Sequence, residues 1–298
     1  MQSLVLTIAL LLSGGPATEA RTAVVPWPAL LGYQPAAPGH LALGPGAAMP
    51  DGDGLWLFHA PSHALVRLDA EGAPVEQVAA AGFVHSPVVR ADGTLAWVDL
   101  ARRVVVLTGR DGRVTREVPL PAGLDLVRRV REIDGRLVLH TALQETFTVP
   151  GGDAPSLRAW FAARREGLLF AADRPAAQVV VSEGRALLRL HALPAGPTVG
   201  QARVTTLPLA LPPDALAAEV LGPAPGEGWW LRVTTGPREQ ARDDLIVVDA
   251  RGRARARFAL PARRTLSWPD TLFVGSTGEV VGLTPTDAGV ERRTWRQP

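Results

Sequence analysis

Three histidines fall at matching points of the chain. His59 and His140 each lie five residues after a turn glycine, Gly54 and Gly135, and His191 lies seven after Gly184. They close the apolar runs LWLFH, RLVLH and RALLRLH, and Asp99 closes the comparable run LAWVD. Imidazoles carried at the ends of equivalent strands could hold zinc or iron, or one could serve as a general base near neutral pH. His63 and Arg102 sit in the short loops after His59 and Asp99, and Arg238 lies in the polar stretch TTGPREQARDD (234–244). These seven residues are the candidate ligand-binding set. The plainer reading of the histidines is a hydrogen-bonded or solvent-facing role, because residues on separate elements meet only where they point at a common axis. No metal or cofactor is expected.

Other chemistries lack their residues. The chain has no cysteine, which excludes a thiol nucleophile and any disulfide, and it has no G-x-S-x-G and no H-E-x-x-H. GSTG (275–278) lacks the lysine and the length of a phosphate loop and reads as a turn. With no lysine, all 31 basic residues are arginine, and the net charge is only +2. The arginines are scattered, and RGRARAR (251–257) fits one face of an exposed strand, so nucleic acid is not an expected partner. Apolar residues make up 47% and charged ones 20%, enough to bury a large core.

The elements that position the candidates come from a repeat. Six polar-plus-Gly turns, at Gly54, Gly93, Gly135, Gly184, Gly228 and Gly278, each lead into an apolar strand, with successive spacings of 39, 42, 49, 44 and 50. Turns of this kind accept the positive φ of tight hairpins. A period of roughly 45 residues is that of four-stranded propeller blades. The strands LVRLDAEG (65–72), VVVLTGRDG (104–112) and LIVVDARG (245–252) each end in a second Gly turn, and His59 to Gly72 and Asp99 to Gly112 are both 13 residues. About 24 short strands can be counted, with no amphipathic helix of ten or more residues. That makes an all-β fold of six blades. Between about 140 and 215, SLRAWFAA, GLLFAAD and AQVVVSEG fit either of two neighbouring blades. Trp56, Trp97, Trp229 and Trp230 lie on second strands, suited to packing between blades or to an exposed platform for glycan or peptide.

The last repeat stops one strand short, whereas AVVPWPAL (23–30) resembles the ends of other repeats such as REVPLPAG (116–123). Ring closure follows if this strand becomes the outer strand of the last blade, beside VERRTWR, a place where prolines are tolerated.

The segments LWLFHAPSHALVRLDAEG and LAWVDLARRVVVLTGRDG resemble the NHL-repeat and related six-bladed propellers. The family-like Asp stands as Asp99 but is His59 in the first blade, and Ser62 and Ala64 replace the family's loop Asn and Arg. The resemblance implies the architecture, in a superfamily that includes receptor domains, scaffolds, lyases and lactonases. The metal-dependent lactonases of this type use acidic and amide ligands in the channel, whereas this chain has no asparagine. The expected function is therefore non-catalytic binding of a protein or cell-envelope partner through the loop face. The alternatives are a lyase or lactonase-like hydrolase using His and Asp at the channel mouth, or a glycan or small-ligand-binding module.

At the N-terminus, Leu4 to Leu12 is too short to cross a bilayer and fits the apolar core of a secretory signal, with cleavage after Ala20, although MQS carries no basic residue. A buried N-terminal strand is the other reading of this run. The expected organisation is a signal peptide over 1–20 and a single propeller domain over 21–298, secreted or periplasmic, monomeric and with no membrane span.

Overall fold

The computed structural model describes residues 21–27, 46–59, 62–80, 82–124, 126–152, 155–162, 164–182, 185–192, 203–237, 240–261, 271–275 and 277–297. Within them the chain forms 23 strands and one short helix. The first strand, β1 (Arg21–Pro26), is set aside for the last blade. Blade 1 is β2 (Ala47–Asp51), β3 (Gly54–His59), β4 (Ala64–Leu68) and β5 (Pro74–Ala79). Blade 2 is β6 (His85–Val89), β7 (Leu95–Asp99), β8 (Val104–Thr108) and β9 (Val114–Pro119). Blade 3 is β10 (Val127–Ile133), β11 (Arg136–Thr141), β12 (Glu145–Thr148) and, after helix α1 (Leu157–Ala162), β13 (Arg164–Glu166). Blade 4 holds β14 (Ala176–Ser182), β15 (Arg185–His191) and β16 (Val204–Leu209), with the antiparallel bridge Leu168↔Ala177 supplying a fourth strand at the edge of β14. Blade 5 is β17 (Ala215–Ala224), β18 (Gly228–Thr235), β19 (Arg242–Val248) and β20 (Ala254–Ala259). Blade 6 is β21 (Leu272–Val274), β22 (Val280–Thr286) and β23 (Gly289–Trp295), completed by β1.

The ring closes as the repeat pattern requires. β1 pairs antiparallel with β23 from Arg21↔Thr294 to Pro26↔Gly289. Val25 is buried there among Leu55, Leu283 and Val290, and the Trp27 indole N–H donates to the Thr286 carbonyl at 2.7 Å. Close approach makes glycine necessary at Gly289, where a Cβ would lie 2.2 Å from the Val25 carbonyl oxygen.

Period-two alternation turns each sheet's apolar side chains toward both neighbours, so the core is divided among the blade interfaces. Trp56 and Trp97 share one cluster between blades 1 and 2. The adjacent Trp229 and Trp230 face opposite ways, into the blade 4–5 and blade 5–6 clusters. All four are buried between blades. The cluster between blades 3 and 4 is small, formed by Ile133, Val138, Leu169 and Ala176. Polar groups reinforce that junction. Gln144 Nε2 donates to the Val179 carbonyl at 2.8 Å and its Oε1 accepts from Val179 N–H at 2.9 Å. Thr146 Oγ donates to the Gly167 carbonyl and accepts from Leu169 N–H, both at 2.9 Å. Gln144 thus stands in for a peptide on the edge of β14, two residues beyond the Leu168 bridge.

The hairpin glycines serve two different ends. Asp134 and Gly135, with φ of 48° and 72°, form a two-residue left-handed turn. Gly54 has no positive φ, and its glycine is required by space, since a Cβ would lie 2.1 Å from the Leu68 carbonyl oxygen.

Candidate functional site

His59, Asp99, His140 and His191 stand at or next to the ends of the second strands of blades 1 to 4, and His63 and Arg102 lie in the loops that follow β3 and β7. His59 closes β3, with Nδ1 2.7 Å from Ser62 Oγ. His63 is exposed, in the left-handed region at φ 47°, and its carbonyl accepts from Ala80 N–H. Asp99 is fully buried at the end of β7, and its Oδ1 accepts from the N–H groups of Ala101 and Arg102 at 3.0 and 3.1 Å. Its other oxygen occupies the space beside Gly82, where a Cβ would come within 1.9 Å. That carboxylate closes its own loop. Arg102 is exposed and donates to Glu117 at 2.7 Å.

His140 lies on β11, and its Nε2–H donates to the Leu169 carbonyl at 2.7 Å, with the ring edge-on to Phe170. Burial, reinforced by the nearby Arg131 and Arg129 charges, pushes its pKa well below the usual imidazole value despite the Leu169 bond. It is a neutral stitch between blades 3 and 4. His191, at the end of β15, is buried with Nδ1 3.8 Å from a Glu166 oxygen. Burial lowers its pKa against the opposing pull of Glu166. Arg238 lies outside the described residues. Among the described residues no three His, Asp or Glu side chains gather as a metal cluster.

The structure brings together a different set. A cavity of about 310 Å³ opens between blades 3 and 5, lined by Arg128, Thr141, Gln144, Ala218, Glu219, Arg232 and Thr234, among others. These residues belong to the starts of the innermost strands β10 and β17, the end of β18 and the β11–β12 loop, so they share one face of the ring. Both innermost strands are irregular there: the register shifts between Val127 and Arg129 on β10 and between Ala215 and Ala217 on β17. A bulge re-aims the extra side chain. On β10 that residue is Arg128, which is exposed, whereas its neighbours Val127 and Arg129 are buried.

Below the cavity, Arg129 pairs with Glu219 at 3.5 Å and the Arg131 guanidinium donates to the Leu221 carbonyl at 3.3 Å, so blade 3 reaches across to blade 5. Arg131 also lies over the Phe170 ring, 5.2 Å from its centroid. On the far wall Arg232 pairs with Asp243, which also accepts from Thr234 Oγ at 2.7 Å. Among the described residues the Arg128 guanidinium has no carboxylate or carbonyl partner. A smaller groove of about 90 Å³ adjoins on the same face, sharing Thr141 and lined by Leu124, Leu126, Leu143, Phe147, Phe161 and Arg164. Leu126, Leu143 and Phe161 are at least half exposed. The signal in the sequence was RRVRE (128–132) on an otherwise apolar innermost strand, legible only once the bulge is known.

Six blades closed by exchange of the terminal strands make this chain a six-bladed β-propeller. Its fold is similar to catalytically inactive virginiamycin B lyase from Staphylococcus aureus solved with quinupristin, at TM-score 0.51 and 11% identity over 93% of this chain and 89% of that one. It is similar also to a member of the DUF4221 family from Bacteroides vulgatus, at TM-score 0.50 and 9% identity over 93% and 97% of the two chains. A gluconolactonase from Xanthomonas campestris matches at TM-score 0.44 and 15% identity, over 94% and 98%. No protein-family model and no curated protein matches the chain. At such identities the likeness is one of fold.

Proposed function

We propose that the chain is an exported binding propeller that holds a protein or cell-envelope partner at the mouth between blades 3 and 5. The observation that carries this reading is Arg128, turned outward by a bulge over a polar cavity and, among the described residues, without a counter-charge. Loops and strand ends on a rigid β scaffold are where such proteins present contacts. Exposed Leu126, Leu143 and Phe161 extend the same face with apolar area, as a binding surface with a polar rim requires. The apolar run Leu4 to Leu12 supports export.

The test is photocrosslinking in the native host's envelope fraction, with a photoreactive amino acid at Leu143 or, on the opposite face, at Arg136. Adducts from position 143 and none from position 136 are expected. Adducts from position 136 alone, or from neither, overturn the reading.

A further inference from the structure

The mouth and the groove beside it differ in chemistry, and their order along the face constrains what can lie across both. Among the described residues the charged lining of the mouth is Arg128, Arg232 and Glu219; Glu219 is paired to Arg129 and Arg232 to Asp243, which leaves Arg128 as the exposed cation. An entering cation would meet the exposed Arg128 first. An entering carboxylate would meet a guanidinium able to take it in a bidentate pair. The groove is apolar, and its charged lining residues Glu145 and Arg164 neutralise each other in an ion pair. Only the β11–β12 loop separates the two, and Thr141 lines both. That loop is fixed: Gln144 is anchored to Val179, and Ala142 N–H donates to the Leu126 carbonyl at 2.8 Å. Leu143, at its tip, is therefore held out into solvent at 60% exposure by its neighbours' bonds.

We infer that the partner presents a segment in which a carboxylate and a large apolar side chain lie next to each other, the carboxylate on Arg128 and the apolar group against Leu126, Leu143 and Phe161. This rests on the reading that this face binds a protein partner and adds the chemistry of the contact. A basic segment is disfavoured by the unpaired guanidinium, and a wholly apolar one would leave the cation covered and unpaired.

The test uses a phage-displayed library of random dodecapeptides panned on the propeller, with the strongest binders then synthesised and titrated by fluorescence anisotropy. Sequences enriched in Asp or Glu beside Leu, Phe or Trp are expected. Their affinity should fall about tenfold with Arg128→Glu and again with Leu143→Ser. Replacing the peptide's acid by its amide should weaken binding to the unsubstituted propeller and strengthen binding to the Arg128→Glu variant, where it removes a like-charge contact. Both positions are exposed, and unchanged melting temperatures would establish that the variants fold. Enrichment of basic peptides, absence of binders, or binders indifferent to both substitutions would overturn the inference. In those cases crosslinking at position 143 still decides separately whether the face binds a partner.

Discussion

Replacing Gln144 by alanine removes both hydrogen bonds that a single side chain makes to Val179 on the edge of β14. Val179 is 3% exposed, so its N–H and C=O lose partners in a largely dry setting. An unpaired buried backbone group costs about 1–3 kcal/mol. The cavity beside Gln144 lets some water in, which puts the combined loss at about 2–4 kcal/mol. At about 2 °C per kcal/mol for a domain of this size, the melting temperature should fall by about 4–8 °C. Gln144→Glu sharpens the argument. The carboxylate keeps the bond from Val179 N–H but sets its second oxygen against the Val179 carbonyl, acceptor facing acceptor. Only its protonated form restores the donor, which pushes its pKa in the folded state above the unfolded value of about 4.3, against the opposing pull of Arg128 and Arg232 in the same cavity. A raised carboxyl pKa contributes stability that is present below the unfolded value and lost as pH rises through the folded one. Relative to the parent, Gln144→Glu should therefore be weak at pH 7.5 and recover toward pH 4.5. Urea unfolding followed by tryptophan fluorescence at the two pH values measures both effects. A shift under one degree for Gln144→Ala, or a pH-independent deficit for Gln144→Glu, would refute the surrogate-peptide role.

Deleting residues 21–27 strips β23 of its partner and Val25 from its cluster; the truncated chain should melt well below the full propeller or aggregate through the bare edge, and a difference within a degree or two would mean that β1 is dispensable. His140 is held neutral when folded and takes up a proton only when unfolded, so stability should drop as pH falls below about 6.5. Between pH 7.5 and 5.5 the parent should lose about 1 kcal/mol more than His140→Gln in denaturant unfolding, and equal losses would contradict this. Protein recovered from the native host should begin near Arg21, and N-terminal sequencing that finds Met1 on a cytoplasmic pool would defeat the export proposal.

The fold was legible because hairpin chemistry is local: Gly93, Gly135 and Gly278 mark turns wherever the chain folds, and period-two runs follow them. Ring closure was legible too, since AVVPWPAL (23–30) resembled other strand ends; the closing strand β1 spans Arg21–Pro26, with Pro26 paired to Gly289, and residues 28–30 lie outside the described residues. Blades 3 and 4 were not separable, because Leu168 completes blade 4 by one bridge and α1 interrupts blade 3, neither of which has a periodic signal. The mouth was missed for a related reason. Arg128 faces outward through a register shift, and no pattern of apolar alternation announces a bulge. Of the histidines, the sequence located the strand ends, but what His59 and His140 bond to depends on Ser62 nearby and on Leu169 in the next blade.

The pairing of β1 with β23 also orders events in time. Strand β1 must wait for β23, more than 260 residues later in the chain, before it has a partner in the sheet. Every other blade can assemble from contiguous chain, so the expected sequence is five blades formed in turn and a late annealing step with the largest loop-closure cost. A chain shortened at either end fails at the same seam. Such a seam acts as a check on synthesis: only a polypeptide that carries both β1 and β23 can shut its own ring, and a fragment lacking either advertises itself to proteases and chaperones by an unpaired strand.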